Sequence, residues 1–299
     1  MTDAEQRSPR YIKRSGDPDL SYFPDFLIVG PQRTGTTWLH AHLRYHPQIM
    51  LAEPKELFFF SSLKTPDSPR YRSNELGWYL QFFHEPLWRV VFRNLMSVRL
   101  YRELYRPQVR GEATASYATL DRDVIQEIAA LKPDIKIVLM IREPIDRAWS
   151  HAKKDLVRNK GRKFAEVSAG EFERFFAEPY QRQCARYVEQ IDNWSVYLRP
   201  GNLLVGLFDD VDAQPEALLL EVMRFLGVAS DRRYISGAVS EPVNPTGVST
   251  IPEQYRRRLE ALLKDDIIRL KERLGLSWDL AGKLERRPGG SGGFRFALD

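Results

Sequence analysis

The chain has 299 residues, 43% hydrophobic and 28% charged, and no long Pro/Gly/Ser linker interrupts its middle, so one domain is expected rather than several. The formal charge of +5 is modest for this length, and the single cysteine, Cys184, excludes an intrachain disulfide and a multi-cysteine metal site and fits a reducing compartment. The longest apolar runs are strand-sized and the first twenty-five residues are polar, so neither export nor membrane anchoring is expected and the cytoplasm is the default.

Residues 1–24 carry scattered charges, Gly16 and three prolines, and read as a flexible arm. Asp25 to Gly30 is a short apolar run ending in glycine, the pattern of a buried strand entering a turn. A helix from Thr36 to Tyr45 follows and closes at His46-Pro47, because the residue before proline is pushed out of helical geometry. The segment from Lys55 to Arg110 is aromatic-rich and irregular. Within it, Arg89, Arg93, Arg99, Arg102, Arg106 and Arg110 recur with Glu103 as the one acid among them. That spacing suits an anionic partner, and the preferred reading is a helix with a solvated basic face.

Beyond it, Ile125, Ile128, Ala129 and Leu131 share a helical face that Pro133 ends, and Ile135 to Ile141 is a continuous apolar strand. Pro144 suits the first turn of a helix reaching about Asn159. Helices over Ala169–Ala177 and Gln181–Leu198, a strand over Leu203–Phe208 and a helix over Pro215–Leu226 come next. A loop from Ser236 to Pro252 leads to a charged helix, Glu253–Leu274, and residues 286–299 read as a flexible tail. Strands alternating with helices imply a parallel sheet covered on both faces, with ligands beyond the carboxyl ends of the strands.

Between the first strand and first helix, Gly30 and Gly35 stand five apart as in a phosphate-binding loop. Backbone N–H groups in such a turn, with the positive end of the helix, hold phosphate oxygens without a particular side chain. A nucleotide triphosphatase loop needs lysine after the second glycine, and here that position is Thr36. Arg33 is the fixed positive charge of the loop, which favours a single phosphate bearing one more small anionic group over a triphosphate with Mg²⁺.

Pro31-Gln-Arg-Thr-Gly-Thr-Thr-Trp38 resembles the 5′-phosphosulfate loop of sulfotransferases that use 3′-phosphoadenosine 5′-phosphosulfate (PAPS). Ile141-Arg-Glu-Pro-Ile-Asp-Arg-Ala-Trp-Ser150 is similar to that family's 3′-phosphate segment, with Arg142 and Ser150 at the matching positions. Softer matches lie at Lys55-Glu-Leu-Phe-Phe-Phe60 and Gly111-Glu-Ala-Thr-Ala-Ser-Tyr117, both resembling the heparan-type and related bacterial branch, and at Leu203 to Asp210 with Phe225-Leu-Gly227. The resemblance implies an α/β, P-loop-NTPase-like three-layer fold with a central parallel sheet, a sulfotransferase domain over residues 25–285, PAPS as donor, adenosine 3′,5′-bisphosphate as product, and no metal.

By the same resemblance Arg33, Thr34, Gly35, Thr36, Thr37, Trp38, Arg142 and Ser150 bind the donor, and Glu56, Arg33 and Lys55 are catalytic. Glu56 is the expected base, helped by an aromatic pocket that would raise its pKa. The competing reading makes it a structural partner of Lys55 or Arg33, and His84 is the alternative base. His40, His42, His46 and His151 are assigned to helix faces or caps, and the side chains of Trp38, Tyr117, Trp149, Tyr187 and Trp194 to the core, with no part in the chemistry. Phe58 and Ala113 stand where the heparan-type branch has histidine and lysine, so the acceptor, a carbohydrate or small-molecule alcohol, is expected to differ from a glycosaminoglycan. No nucleic acid and no membrane partner is expected. A P-loop nucleoside or small-molecule kinase and a non-catalytic polyanion binder are the competing functions.

Overall fold

In a computed structural model, which describes residues 11–235, 239, 250–276 and 278, the chain forms a five-stranded sheet. The strands are β1 (Phe26–Val29), β2 (Ile49–Leu51), β3 (Val109–Ala113), β4 (Lys136–Ile141) and β5 (Leu203–Leu207), and the order is β2-β3-β1-β4-β5 with every pairing parallel. The apolar runs of β1, β4 and β5 are buried along almost their whole length, as a sheet covered by helices on both sides requires. The principal helices are α1 (Thr36–Leu43), α2 (Leu87–Tyr101), α3 (Arg122–Leu131), α4 (Pro144–Ala152), α5 (Ala169–Ala177), α6 (Tyr187–Ser195), α7 (Pro215–Leu226) and α8 (Glu253–Leu274).

Side chains of a strand alternate between faces, and the core divides accordingly. Leu27, Val29, Ile137 and Leu139 pack with Ile125 and Ile128 of α3 and Trp194 of α6. Phe26, Ile28, Val138 and Met140 pack with Leu39 of α1 and Leu219 and Val222 of α7. A third cluster joins α4, α5 and α8 through Trp149, Phe172 and Tyr255. Each fully buried aliphatic or aromatic side chain contributes about 1.5–3 kcal/mol, so the sheet is the stiff part that positions whatever its ends carry.

Four expectations change. Residues 11–24 are packed rather than loose: Tyr11 and Ile12 donate their N–H groups to the Glu127 carboxylate at 2.8 and 2.9 Å, and the Ile12 side chain is buried. The expected Gln181–Leu198 helix breaks at Arg186, whose ψ of 58° separates a short turn, Pro179–Gln183, from α6. The irregular segment contains a regular helix, α2, and its end enters β3, while a further strand that the sequence did not suggest, β2, lies just before it. That helix does not present a solvated basic face: Arg89 and Arg93 turn inward to Glu53 and Glu85, and apolar side chains point out. Most of the 236–252 loop, including residues 244–249, and the whole 286–299 tail lie outside the described residues, as do residues 1–10.

Candidate active site

β1 feeds straight into the Gly30–Gly35 turn, whose backbone leaves the common L-residue region repeatedly. Gly30 has φ 148°, and a Cβ there would lie 2.5 Å from the carbonyl oxygen of Met140, so glycine alone lets the turn pass beside β4. Gly35, at φ 97°, caps α1. Arg33 also holds a positive φ of 78°, a strain of about 1–3 kcal/mol that persists only where the surroundings enforce it. They do: the buried Thr34 hydroxyl donates to Pro31 O at 2.8 Å, and the Tyr180 hydroxyl donates to Gln32 Oε1 at 2.7 Å. The N–H groups of Thr36, Thr37 and Trp38 have no carbonyl four residues back within α1, so the helix turns its unpaired donors toward this turn.

The segment at the end of β4 meets the same turn. Arg33 Nε donates to Ser150 Oγ at 2.9 Å, and Arg142 Nη1 donates to the Arg33 carbonyl at 3.4 Å. The Arg142 guanidinium lies 4.2 Å from the centre of the Phe208 ring, and the backbone N–H of Arg142 donates to the Tyr187 hydroxyl at 3.3 Å. Residues 117 positions apart in sequence therefore share one pocket beyond the carboxyl ends of adjacent strands. Glu143 does not pair with Arg142; its carboxylate caps α4 by accepting from the Asp146 N–H at 2.5 Å.

The pocket is strongly cationic. Burial, then repulsion from Arg142 and Arg158, lowers the pKa of Arg33, and burial lowers that of Arg142 against the attraction of Asp146. Lys153 is depressed by burial and then by Arg142 and Arg33. The guanidinium groups stay charged in the physiological range, with Asp146, Glu143 and Asp209 near enough to Arg142 to favour its charge. Lys153 and Arg158 lie on a wide-turn helical segment, Lys153–Arg158, which continues α4.

Lys55 and Glu56 sit one strand across the same edge. The Glu56 N–H donates to Ala113 O at 3.0 Å, directly after β3, which pairs with β1. Lys55 Nζ contacts Glu56 Oε1 at 2.5 Å, and Glu56 Oε2 accepts from the Ala115 N–H at 3.3 Å. The carboxylate is thus held by an ion pair and a backbone donor instead of an aromatic pocket, and φ 70° at Glu56 turns the chain at that point. Beneath it is the fully buried Glu112, bonded by the Tyr79 hydroxyl at 2.5 Å and the Thr114 hydroxyl at 3.0 Å. Burial pushes its carboxyl up to about 7, against those hydrogen bonds and with a further push from Glu56.

A family profile described as "Sulfotransferase family" matches residues 24–232. The chain belongs to the sulfotransferase family. It is 26% identical over 238 residues to the bifunctional heparan sulfate N-deacetylase/N-sulfotransferase 4 of Mus musculus, covering 76% of this chain and 25% of that protein. It is 29% identical over 220 residues to the corresponding protein 2 of Homo sapiens, covering 71% and 23% respectively. The chain thus spans about a quarter of the length of these relatives. A crystal structure of a sulfotransferase from Alicyclobacillus acidocaldarius superposes with a TM-score of 0.57 at 27% identity, over 84% of this chain and 96% of the other. The P-loop-like three-layer fold expected for this family is the one observed.

Within this sulfotransferase frame Arg33, Thr34, Gly35, Thr36, Thr37, Arg142 and Ser150 come together, and Lys55 and Glu56 share their edge of the sheet. The Trp38 indole is buried, donates Nε1–H to Val239 O at 3.1 Å and belongs to the core, so only the backbone N–H of this residue faces the turn. His84 departs from its expected role. It stacks on Tyr22 at 3.6 Å, and Tyr22 lies under Arg110 at the entry of β3, so His84 stands at the opposite end of the sheet from the turn. Lys153, Arg158, Glu112 and Tyr79 escaped the sequence reading. Glu112 lay in plain view in Gly111-Glu-Ala-Thr, and Lys153 three residues past Ser150, but neither carried a spacing that marks a ligand by itself.

Proposed function

We propose that this sulfotransferase moves a sulfuryl group from PAPS to the hydroxyl of a carbohydrate or small-molecule acceptor, by in-line displacement at sulfur. The observation that carries the reading is the meeting of Arg33, Arg142 and Ser150 in one cationic pocket at the ends of β1 and β4. The Gly30–Thr37 turn would hold the 5′-phosphosulfate, and Arg142 with Ser150 the 3′-phosphate, so that Arg33 lies between the two anionic ends. The glycine cradle at Gly30 and the gathering of Arg33, Arg142 and Lys153 both suit a doubly anionic nucleotide.

In this reading Glu56 accepts the acceptor's hydroxyl proton as the oxygen attacks sulfur. The bond between sulfur and the bridging oxygen breaks, and the charge left on the phosphate falls on Arg33 and the N–H groups of Gly35, Thr36 and Thr37. Removing one donor of that kind costs about 100-fold to 1,000-fold in rate. Lys55 keeps the Glu56 carboxylate oriented in the resting site. Thr36 in place of a loop lysine argues against a kinase. The buried thiol Cys184 supports a reducing, cytoplasmic setting, and among the described residues no helix is long and apolar enough to cross a membrane.

The test is thermal stabilisation by adenosine 3′,5′-bisphosphate, by ATP with Mg²⁺ and by heparin. A ligand at about 100 times its dissociation constant adds about 2.7 kcal/mol. The bisphosphate should stabilise the protein without added metal, and Arg142→Ala should shrink the shift. Stabilisation by ATP with Mg²⁺ alone would transfer the assignment to a kinase, and by heparin alone to a polyanion binder.

A further inference from the structure

Helix α2 is built with its polarity reversed. Leu87, Trp88, Val91, Phe92, Leu95 and Val98 are exposed, at 83%, 71%, 57%, 55%, 66% and 46% of their surface, and at 100° per residue they form one continuous stripe on the solvent side. The orientation is fixed from within. Arg89 pairs with Glu53, Arg93 with Glu85 at 3.0 Å, Asn94 Oδ1 accepts from the Tyr105 N–H at 3.0 Å, and Ser97 is buried. The polar side of the helix is thereby anchored to the body and the apolar side left outward.

We infer that α2 docks the protein on an anionic lipid surface, its outward stripe entering the boundary between headgroups and acyl chains. Two observations favour this occupant over a second copy of the chain. Arg99 lies on the exposed face, Arg102 caps the helix and Arg106 follows Arg102 by four residues; all three are exposed, and none forms an ion pair among the described residues. A second copy laid along the stripe would have to bring acids to these arginines, yet α2 contains no Asp or Glu, and the neighbouring Glu103 is engaged by Arg233 at 2.7 Å and by the Tyr234 hydroxyl at 2.8 Å. Lipid phosphate and carboxylate groups supply that missing charge, and Trp, Phe and Leu beside arginine are the side chains that settle at a bilayer interface. The overall charge of +5 acts in the same direction. Where the sequence suggests no membrane partner, this proposal adds surface attachment, which requires no spanning segment.

Attachment also has a geometric consequence, because Glu53, which ties α2 to the body through Arg89 and also pairs with Arg44, is three residues from Glu56. The inference stands on the exposed face alone and does not depend on the identity of the donor.

The full-length chain should sediment with vesicles of phosphatidylcholine mixed with phosphatidylserine, and much less with phosphatidylcholine alone. Replacing Trp88 and Phe92 together by Ser should abolish sedimentation. Arg99→Gln and Arg106→Gln should each weaken it about fivefold. Both positions are exposed, so the variants should keep the wild-type melting temperature, which is measured alongside. Wild-type sedimentation by the Trp88→Ser, Phe92→Ser variant would overturn the proposal, as would a failure of the wild type to bind either vesicle. A lipid-free dimer by analytical ultracentrifugation, dissociated by that same variant, would assign the stripe to a second copy instead.

Discussion

Two carboxylates stacked at the end of β3 have different work to do. Glu56 is half-buried and reachable, while Glu112 is sealed beneath it with Tyr79 and Thr114. Glu56→Gln should leave adenosine bisphosphate binding intact and lower turnover by about 100-fold to 10,000-fold, read as kcat against the thermal shift. Unchanged turnover would remove Glu56 as the base. Glu112 acts on stability instead. Its folded pKa, raised from 4.5 to about 7, means that the native state holds a proton the unfolded chain has already lost, so stability falls as pH rises from about 4.5 to about 7 and then levels. The full effect is on the order of 3 kcal/mol. Glu112→Gln, which keeps an acceptor for the Tyr79 hydroxyl, should flatten that part of the decline in denaturant titrations taken between pH 5 and 8. Glu143, also raised to about 7 by burial, contributes a decline of the same sign that the variant leaves in place.

At the scale of elements, the strands with continuous apolar runs were legible and the others were not. β1, β4 and β5 are buried on both faces, β5 included although it stands at the edge of the sheet, and that burial writes an unbroken apolar signal. β2 has three residues, too few for a pattern, and β3 reads Val-Arg-Gly-Glu-Ala, a polar string held in the sheet by pairing on both sides. Gly111 in β3 shows why that string is what it is: a Cβ there would lie 2.4 Å from the Phe26 ring, which fills the space a side chain would need. Gly111→Ala should therefore cost about 1–3 kcal/mol by overpacking, seen as a lower denaturation midpoint. Because β1 carries Phe26 and then the Gly30–Gly35 turn, affinity for the proposed donor should fall with it. The Lys153–Arg158 segment was read correctly as helical, but its wider winding, which lies beside Arg33, has no sequence signature. The Gly30–Gly35 turn and the Arg142–Ser150 segment stand out in the sequence because glycine spacing and fixed charge are local properties. The reversed face of α2 does not, because only the inward pairing of Arg89 and Arg93 decides which side faces solvent.

Over the whole molecule, the sheet runs outward from its middle in two directions, toward β3 and β2 on one side and toward β4 and β5 on the other. The connections after β1 and β4 part company at that divide and leave a crevice between them, the usual position for a ligand in such sheets. Arg33 comes from one lip and Arg142 from the other, and the Arg33–Ser150 hydrogen bond already joins them. A grip assembled in this way, if it holds the two phosphates of the donor nucleotide, meets the same two phosphates after the sulfuryl group has gone. Binding that is equal before and after the chemical step lends it no speed and delays departure of the spent nucleotide. Rapid mixing of enzyme with donor and acceptor should accordingly give a burst of about one sulfated product per enzyme before a slower steady rate, and a straight line from the first turnover would contradict it. The tightness of this clasp then becomes the pace-setter of the cycle, and loosening it at Ser150 should make the enzyme bind more weakly and turn over faster.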